Sequence, residues 1–112
     1  MNNKILGDKG EAKVFDYLTN NGYIVIERNY TCPIGEIDLI AKHDGMIVFV
    51  EVKTRTSSKF GLPREAVNFY KQKKLRDLAM YYLKTTKKFD YQCRFDVAEV
   101  LGDEITIIEN AF

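Results

Sequence analysis

Two neighbouring segments rich in Ile, Val and Phe, residues 36–42 and 46–54, constrain the fold of this chain more than any other feature. Asp44-Gly45 lies between them, and Asp-Gly between two such runs is a strong signal for a β-hairpin with a two-residue turn. One face would carry Ile37, Leu39, Val48, Val50 and Val52, and the other Ile40, Ile47 and Phe49. Strands that are apolar on both faces lie in the middle of a covered sheet, so we expect a layered domain.

Periodicity and turn residues predict the other elements. We expect helices over residues 7–21 and about 64–85, strands over residues 23–27, 92–101 and 104–109, and loops over residues 31–35 and 56–61. The order α-β-β-β-α-β-β indicates an α/β fold with a mixed sheet. A chain of 112 residues holds one hydrophobic core of useful size, so we expect a single domain over residues 1–112.

Composition excludes several classes of protein. Apolar residues make up 46% of the chain, which is too many for a disordered protein. No apolar run approaches the roughly 20 residues of a membrane-spanning helix, and the first residues lack the pattern of a signal peptide. Cys32 and Cys93 are far apart and show no zinc-binding spacing. We therefore expect a cytoplasmic protein with two reduced thiols and no membrane partner.

The charge distribution is uneven although the net charge is only +1. Residues 53–88 contain eleven Lys or Arg residues against two acids, Glu65 and Asp77. A basic segment in a neutral chain indicates a surface for a polyanion such as nucleic acid. The alternative is an ordinary solvated helix face, and charge alone does not decide between the two.

The hairpin places several charged residues together. If Asp44-Gly45 forms a two-residue turn, Asp38 lies directly opposite Glu51, and Glu36 lies opposite Lys53. Two opposed carboxylates repel each other unless a cation lies between them. Oxygen ligands without histidine or thiolate suit Mg²⁺ or Mn²⁺. The alternative is a cluster of salt bridges, and a one-residue slip of register would remove the arrangement.

The first helix adds a third carboxylate. At 100° per residue, Glu11 lies near the middle of an apolar arc, between Val14 and Leu18 on one side and Ala12 and Phe15 on the other. A carboxylate on a core-facing stripe is costly unless it has a partner. The alternative is that Glu11 turns to solvent at the helix N-terminus.

These residues resemble a known signature. Asp38 followed by Glu51-Val52-Lys53 resembles the PD-(D/E)XK nuclease motif, although Ile37 stands where the motif has proline. The wider pattern is Gly7, Gly10-Glu11, Gly35-Glu36-Ile37-Asp38-Leu39-Ile40, Phe49-Val50-Glu51-Val52-Lys53-Thr54-Arg55, Phe60-Gly61, Lys71-Gln72, Arg94-Phe95-Asp96-Val97 and Asn110-Ala111-Phe112. Over nearly the whole chain, this pattern resembles the bacterial YraN family of endonuclease-like proteins. The resemblance implies a restriction-endonuclease-like fold, a mixed central sheet flanked by helices, and similarity to archaeal Holliday-junction resolvases.

The resemblance also implies roles for the clustered residues. Asp38 and Glu51 would bind Mg²⁺ or Mn²⁺ together with the backbone carbonyl of Val52, and Glu11 would complete the metal shell. Lys53 would orient or deprotonate the attacking water, or neutralise the phosphate.

The second helix would supply contacts to DNA. Lys71, Gln72 and Lys74, with Arg55 after the second hairpin strand, are candidates for binding the phosphate backbone, or Gln72 would instead close the site. Lys73 and Arg76 are interpreted as part of a solvated face. The aromatic residues show no obvious interleaving with basic residues, so base stacking is not predicted.

Three functions fit these observations. The leading one is a Mg²⁺-dependent endodeoxyribonuclease acting on structured or branched DNA. The second is a nucleic-acid-binding module that does not cleave, or cleaves only with a partner protein. The third is a metal-dependent enzyme with another substrate, which the basic segment disfavours. A homodimer or a partner protein is also plausible, because so small a domain has little surface for recognising a substrate.

Overall fold

The described part of the chain folds into one mixed sheet with a helix on each face. The structure, a computed structural model, describes residues 3–55, 67–88 and 90–112. The elements are α1 (Asn3–Asn20), β1 (Ile24–Cys32), β2 (Gly35–His43), β3 (Met46–Arg55), α2 (Phe69–Thr86), β4 (Cys93–Leu101) and β5 (Glu104–Ile108). This order confirms the predicted sequence of elements and the predicted α/β class.

The five strands lie in the sheet in chain order, β1-β2-β3-β4-β5. All neighbouring pairs are antiparallel except β3 and β4, which are parallel from Ile47 opposite Cys93 to Arg55 opposite Leu101. Parallel neighbours need a crossover connection, and the connection between β3 and β4 contains α2. The fold therefore places α2, which belongs to the basic segment of residues 53–88, next to β3, the strand that carries Glu51.

The β2–β3 hairpin has the predicted turn and register. Asp44 and Gly45 have φ values of 52° and 74°, so both central residues of the turn are left-handed, as the right-handed twist of the strands favours. The paired residues run from His43 opposite Met46 to Leu39 opposite Val50. The register predicted from the two-residue turn is confirmed over these five pairs.

Several predicted boundaries differ from the structure. Helix α1 begins at Asn3 rather than at residue 7. Strand β1 continues to Cys32, which pairs with Gly35, so only Pro33 and Ile34 remain of the predicted loop. Strand formation is possible there because Pro33 lies in the turn, where a missing N–H group costs nothing.

The second helix starts later than predicted, because residues 67 and 68, which the prediction placed in the helix, precede it. Helix α2 begins at Phe69, because the side chain of Asn68 accepts a hydrogen bond of 2.9 Å from Lys71 N and caps the helix. Residues 64–66, the predicted polar loop at 56–61 and the Phe60-Gly61 part of the family pattern lie outside the described residues.

Two apolar layers cover the sheet. One contains α1 residues Val14 and Leu18 packed on Leu39, Ala41, Val48, Val50, Ala98 and Val100. The other contains α2 residues Leu75, Leu78, Ala79 and Tyr82 packed on Ile37, Ile40, Ile47, Phe49 and Val97. The hairpin is therefore covered on both faces, as its sequence predicts.

One face assignment was wrong. The sequence pattern places Ile37 and Leu39 on the same face, but Ile37 packs against α2 and Leu39 packs against α1. The alternation of side chains is broken at the residue between them, Asp38. Within the part of the chain that the structure describes, no helix is long and apolar enough to cross a membrane.

Candidate active site

The candidate site begins where β2 and β3 stop pairing. The sequence predicts Asp38 directly opposite Glu51 and Glu36 opposite Lys53, but the paired residues end at Leu39 and Val50. Beyond that pair, the Asp38 side chain takes the place of a backbone partner, because its Oδ2 accepts a hydrogen bond of 2.8 Å from Val52 N. The predicted cross-strand pairs are therefore wrong, and the carboxylate of Asp38 instead binds the backbone N–H group of the half-buried Val52 on β3.

Glu51 lies next to this point and has two cationic neighbours. Its side chain is buried, and its Oε1 lies 2.7 Å from Lys71 Nζ and 3.6 Å from Lys53 Nζ. Lys53 comes from the same strand, whereas Lys71 comes from the first turns of α2. The structure thus brings Lys71, which the sequence analysis assigned to DNA phosphates, into contact with a predicted metal ligand.

Helix α1 reaches the site because of one glycine. A side-chain carbon at Gly10 would overlap the hydroxyl oxygen of Thr54 on β3. Glycine at this position therefore lets the helix backbone approach the strand closely. Glu11 is the next residue, and its side chain hydrogen-bonds to Asp38.

The buried face of α1 is centred differently from the prediction. Gly10, Val14 and Leu18 are buried at a spacing of four residues, whereas Ala12 is exposed. Glu11 therefore lies at the edge of the buried face rather than at its middle. The helix is rotated in this way because the contact of Gly10 with Thr54 sets its closest approach to the sheet.

The carboxyl groups affect each other strongly. Burial and the nearby Glu51 carboxylate raise the pKa of Asp38 to about 7, and Glu11 adds to the rise. The Val52 N–H group opposes this rise because it favours the charged form of Asp38. The pKa of Glu11 is also raised, by burial first and then by neighbouring acids that include Glu36. The site therefore concentrates negative charge in a partly desolvated place.

The two lysines differ in their pKa values. Burial and the adjacent Lys71 ammonium lower the pKa of Lys53. Burial is the largest single effect on the pKa of Lys71 and lowers it, but the hydrogen bond to Glu51 and the other contacts of Lys71 with its charged neighbours together outweigh burial, so the net pKa is raised. A lysine with a lowered pKa beside clustered carboxylates is typical of a functional site.

The other predicted nucleic-acid-binding residues are placed in different surroundings. The Nε of Arg55 lies 3.2 Å from Glu99 Oε2, and its side chain is largely buried. Gln72 donates a hydrogen bond of 2.9 Å from Nε2 to the carbonyl of Val67, so its side chain holds the segment before α2. Lys74 is exposed, and its Cε lies close to Gly35 at the start of β2.

The donor set can be compared with what Mg²⁺ requires. Asp38 and Glu51 offer hard carboxylate oxygens, and Mg²⁺ is commonly bound by one or two carboxylates while it keeps several waters. Among the described residues, no three His, Cys, Asp or Glu side chains are spaced to hold a metal ion. Asp38 and Glu51 therefore match the ligand type that Mg²⁺ prefers, and the predicted role of Glu11 as a further ligand stays a prediction.

A second polar cluster lies on the α1 face of the sheet. Arg94 and Asp96, which share a face as predicted, form a buried bidentate pair with distances of 2.9 and 3.0 Å. Arg94 also contacts Tyr23 Oη and His43 Nδ1, each at 3.0 Å, and the rings of Tyr23 and His43 are stacked. Asp96 accepts a further bond from Asn110 N. The sequence left open whether Arg94 and Asp96 pair or support the site, and the structure shows that they pair.

The sequence is similar to those of one protein family over nearly its whole length. The sequence model of a family described as "Uncharacterised protein family UPF0102" matches residues 10–100. A UPF0102 protein of Thermodesulfovibrio yellowstonii is 50% identical over 107 residues, covering 96% of this chain and 95% of the relative. A UPF0102 protein of Caldicellulosiruptor saccharolyticus is 44% identical over 118 residues and is covered completely, as is this chain.

A mixed five-stranded sheet between two helices, in the order α-β-β-β-α-β-β, is the architecture of a restriction-endonuclease-like domain. The chain belongs to the family UPF0102. The predicted membership of the YraN family fits this result.

Proposed function

We propose that this protein is a metal-dependent nuclease that hydrolyses phosphodiester bonds in structured or branched DNA. The observation that carries the proposal is the meeting of Asp38 and Glu51 where β2 and β3 separate, with Lys53 and Lys71 beside Glu51. The strands separate at this point and leave the Asp38 side chain beside the β3 backbone. Both helices also meet the sheet here, since Glu11 of α1 interacts with Asp38 and Lys71 of α2 contacts Glu51.

Each residue then has a defined task. Asp38 and Glu51 would hold Mg²⁺ or Mn²⁺, with the Val52 carbonyl as a further oxygen ligand. When bound, the ion would supply Lewis-acid stabilisation of the phosphate. Glu11 orients Asp38 through their hydrogen bond. Lys53, whose pKa is lowered, orients the attacking water or neutralises charge on the phosphate.

The charge of α2 supports DNA as the substrate. The helix carries Lys71, Lys73, Lys74, Arg76 and Lys84 against a single acid, Asp77. Lys73 and Lys74 are exposed and therefore accessible to a phosphate backbone.

Both cysteines are free thiols, which agrees with a protein that works in the reducing cytoplasm.

A second function, a nucleic-acid-binding module that does not cleave or needs a partner, is favoured by one observation. Lys71 already neutralises Glu51 across 2.7 Å, so the protein's own ammonium occupies one side of a predicted metal ligand. In this alternative, the carboxylates and lysines form a structural ion cluster. The same lysines of α2 would still bind phosphates.

The test compares cleavage and metal binding in matched variants. The intact chain, Glu51→Gln and Lys53→Met are incubated in Mg²⁺ or Mn²⁺ with labelled single-stranded, duplex, flap and four-way-junction DNA. Asp103→Asn is the control, because its carboxylate is fully exposed on the turn between β4 and β5. Thermal unfolding with and without Mg²⁺ reports metal binding separately, since a ligand of the folded state raises Tm.

We expect the intact chain and Asp103→Asn to cleave at least one branched substrate and to gain Tm in Mg²⁺. Glu51→Gln should lose both effects, whereas Lys53→Met should lose cleavage and keep the Tm gain. DNA binding without cleavage of any substrate in either metal would overturn the nuclease proposal and favour the binding module.

A further inference from the structure

Two neighbouring aromatic side chains at the start of α2 are almost fully exposed. Phe69 is 76% exposed and Tyr70 is 78% exposed, although other large apolar side chains of this helix, such as Leu75 and Tyr82, are buried. Exposed rings without an apolar partner lose the stabilisation that burial gives, so a pair of them at one place indicates a binding surface.

Tyr70 forms one wall of a surface groove with basic residues. The groove has a volume of about 230 Å³ and is lined by Tyr70, Lys73, Lys74 and Asp77. Residues three and four positions apart lie on the same face of a helix, so both lysines stand beside the Tyr70 ring. Lys73 is 71% exposed and lies 3.7 Å from Asp77, an exposed ion pair that costs little to exchange for another anion.

The groove adjoins the candidate active site. Lys71 follows Tyr70 in the chain and contacts Glu51 at 2.7 Å. Lys74 lies one turn further along the helix and packs its Cε near Gly35, at the start of the strand that carries Asp38. A ligand held by Tyr70 and Lys74 therefore lies on the helix that contacts Glu51 and near the start of the strand that carries Asp38.

An aromatic ring with flanking ammonium groups suits a nucleotide. The ring stacks on a base, and the ammonium groups bind the adjoining phosphates. A base inside a duplex has both faces covered by its neighbours, so only an unpaired base offers a free face. The same pattern of charges argues against an apolar protein partner, since two lysines and an aspartate line the groove beside the ring.

We propose that Tyr70, Lys73 and Lys74 bind an unpaired nucleotide of DNA, with its base on the Tyr70 ring and its phosphates beside the two lysines. This surface directs the site to single-stranded segments such as flaps or tails. That the bound strand is then cleaved rests on the proposed function. The sequence analysis did not predict stacking, because it found no interleaving of aromatic with basic residues, whereas in the structure Tyr70 lines a groove with Lys73 and Lys74.

Binding is measured by fluorescence anisotropy in EDTA, so that no cleavage is required. The probes are an end-labelled oligo(dT) of about 15 nucleotides and a blunt duplex of equal length. The proteins are the intact chain, Tyr70→Ala and Tyr70→Phe. Tyr17→Ala is the control, because Tyr17 is an exposed tyrosine on α1, outside this groove.

We expect Tyr70→Ala to weaken oligo(dT) binding by about tenfold, since stacking on one base contributes roughly that factor. Tyr70→Phe and Tyr17→Ala should bind like the intact chain, and duplex binding should be equal in all four proteins. Lys73→Gln should reduce the slope of log affinity against log salt by about 0.7 for the single strand.

Three results overturn the inference: no binding of oligo(dT) at about 50 mM salt, equal binding by Tyr70→Ala, or an equal loss of duplex binding in that variant. These results are separate from the failure of the proposed function. Binding through Tyr70 without cleavage overturns only the nuclease proposal, whereas metal-dependent cleavage that Tyr70→Ala leaves unchanged on flap DNA overturns only the nucleotide site.

Discussion

Lys71 on α2 and Glu51 on β3 form an ion pair, with 2.7 Å between Nζ and Oε1, that ties the basic helix to the candidate catalytic strand. The carboxylate is buried, whereas the lysine side chain is partly exposed. The pair therefore gives Glu51 a counter-charge when no other cation is near. Because the cation belongs to the protein, it also competes with any metal ion for the same oxygen.

Lys71→Met should make the metal-free protein less stable and its metal binding tighter. Removing the ammonium leaves a buried carboxylate without its closest partner, which we expect to lower the free energy of unfolding by about 1–2 kcal/mol. The same change should lower the Kd for Mg²⁺, measured by titration calorimetry. Lys73→Met is the matched control, since its ion pair with Asp77 is exposed and should contribute almost nothing. Weaker Mg²⁺ binding in Lys71→Met would contradict competition between the lysine and the metal.

Asp38→Asn should stabilise the metal-free protein at alkaline pH. The pKa of Asp38 is about 7 in the folded protein against 3.8 for the ordinary carboxyl group. The folded state therefore keeps a proton that the unfolded state releases, and the stability of the native protein falls as pH rises from about 4 to 7. The variant lacks this loss, so the difference between its free energy of unfolding and that of the native chain should grow over that range to the order of 4 kcal/mol.

Urea unfolding in EDTA at several pH values measures this difference. Asp16→Asn, which changes an exposed carboxylate of α1, is the matched control. A stability difference between Asp38→Asn and the native chain that does not change with pH would show that the Asp38 carboxyl ionises as easily in the folded state as in the unfolded state.

Gly10→Ala should destabilise the protein, although alanine favours helices. The added carbon overlaps the Thr54 hydroxyl, so α1 has to move away from β3, at a cost of about 1–3 kcal/mol. Gly7→Ala on the same helix is the control, because nothing lies within 4 Å of the new carbon. The Gly7→Ala change should instead raise the free energy of unfolding by up to about 1 kcal/mol. Thermal unfolding distinguishes the two, and equal effects would mean that Gly10 does not set the helix position.

Arg94→Met should cost about 3 kcal/mol, because it leaves Asp96 buried without its bidentate partner. Lys13→Met removes the exposed pair with Asp103 and should cost less than about 1 kcal/mol. A double-mutant cycle of Arg94→Met with Asp96→Asn, followed by urea unfolding, should show a large positive coupling. A cost as small as that of Lys13→Met would show that Tyr23 and Asn110 satisfy the Asp96 carboxylate without the arginine.

Local sequence signals predicted the hairpin correctly. The Asp44-Gly45 turn and the apolar runs beside it fixed the register from His43 opposite Met46 to Leu39 opposite Val50. The prediction succeeded because turn length and side-chain alternation depend on residues that are close in the chain. It failed one residue further, at Asp38, because a side chain there replaces a backbone partner and ends the pairing.

The candidate residues were found from charge and spacing, but their partners were not. Lys71 was assigned to DNA because it belongs to a basic segment, and its contact with Glu51 depends on how α2 packs on the sheet. The starts of both helices also needed the structure, because α1 begins at Asn3 rather than at residue 7 and α2 begins after its cap, Asn68, rather than near residue 64. For α2, the hydrogen bond of the cap decides where the helix begins.

The sequence by itself determined the order of the elements, the two-sided burial of the central hairpin and the set of acids and lysines from which a site can be built. These properties follow from periodicity, turn chemistry and residue type. The tertiary structure alone decided that β2 and β3 separate at Asp38, that Gly10 seats α1 against Thr54, and that Lys71 reaches Glu51. Each of these depends on atoms brought together from distant parts of the chain, where packing distance rather than local pattern selects the contact.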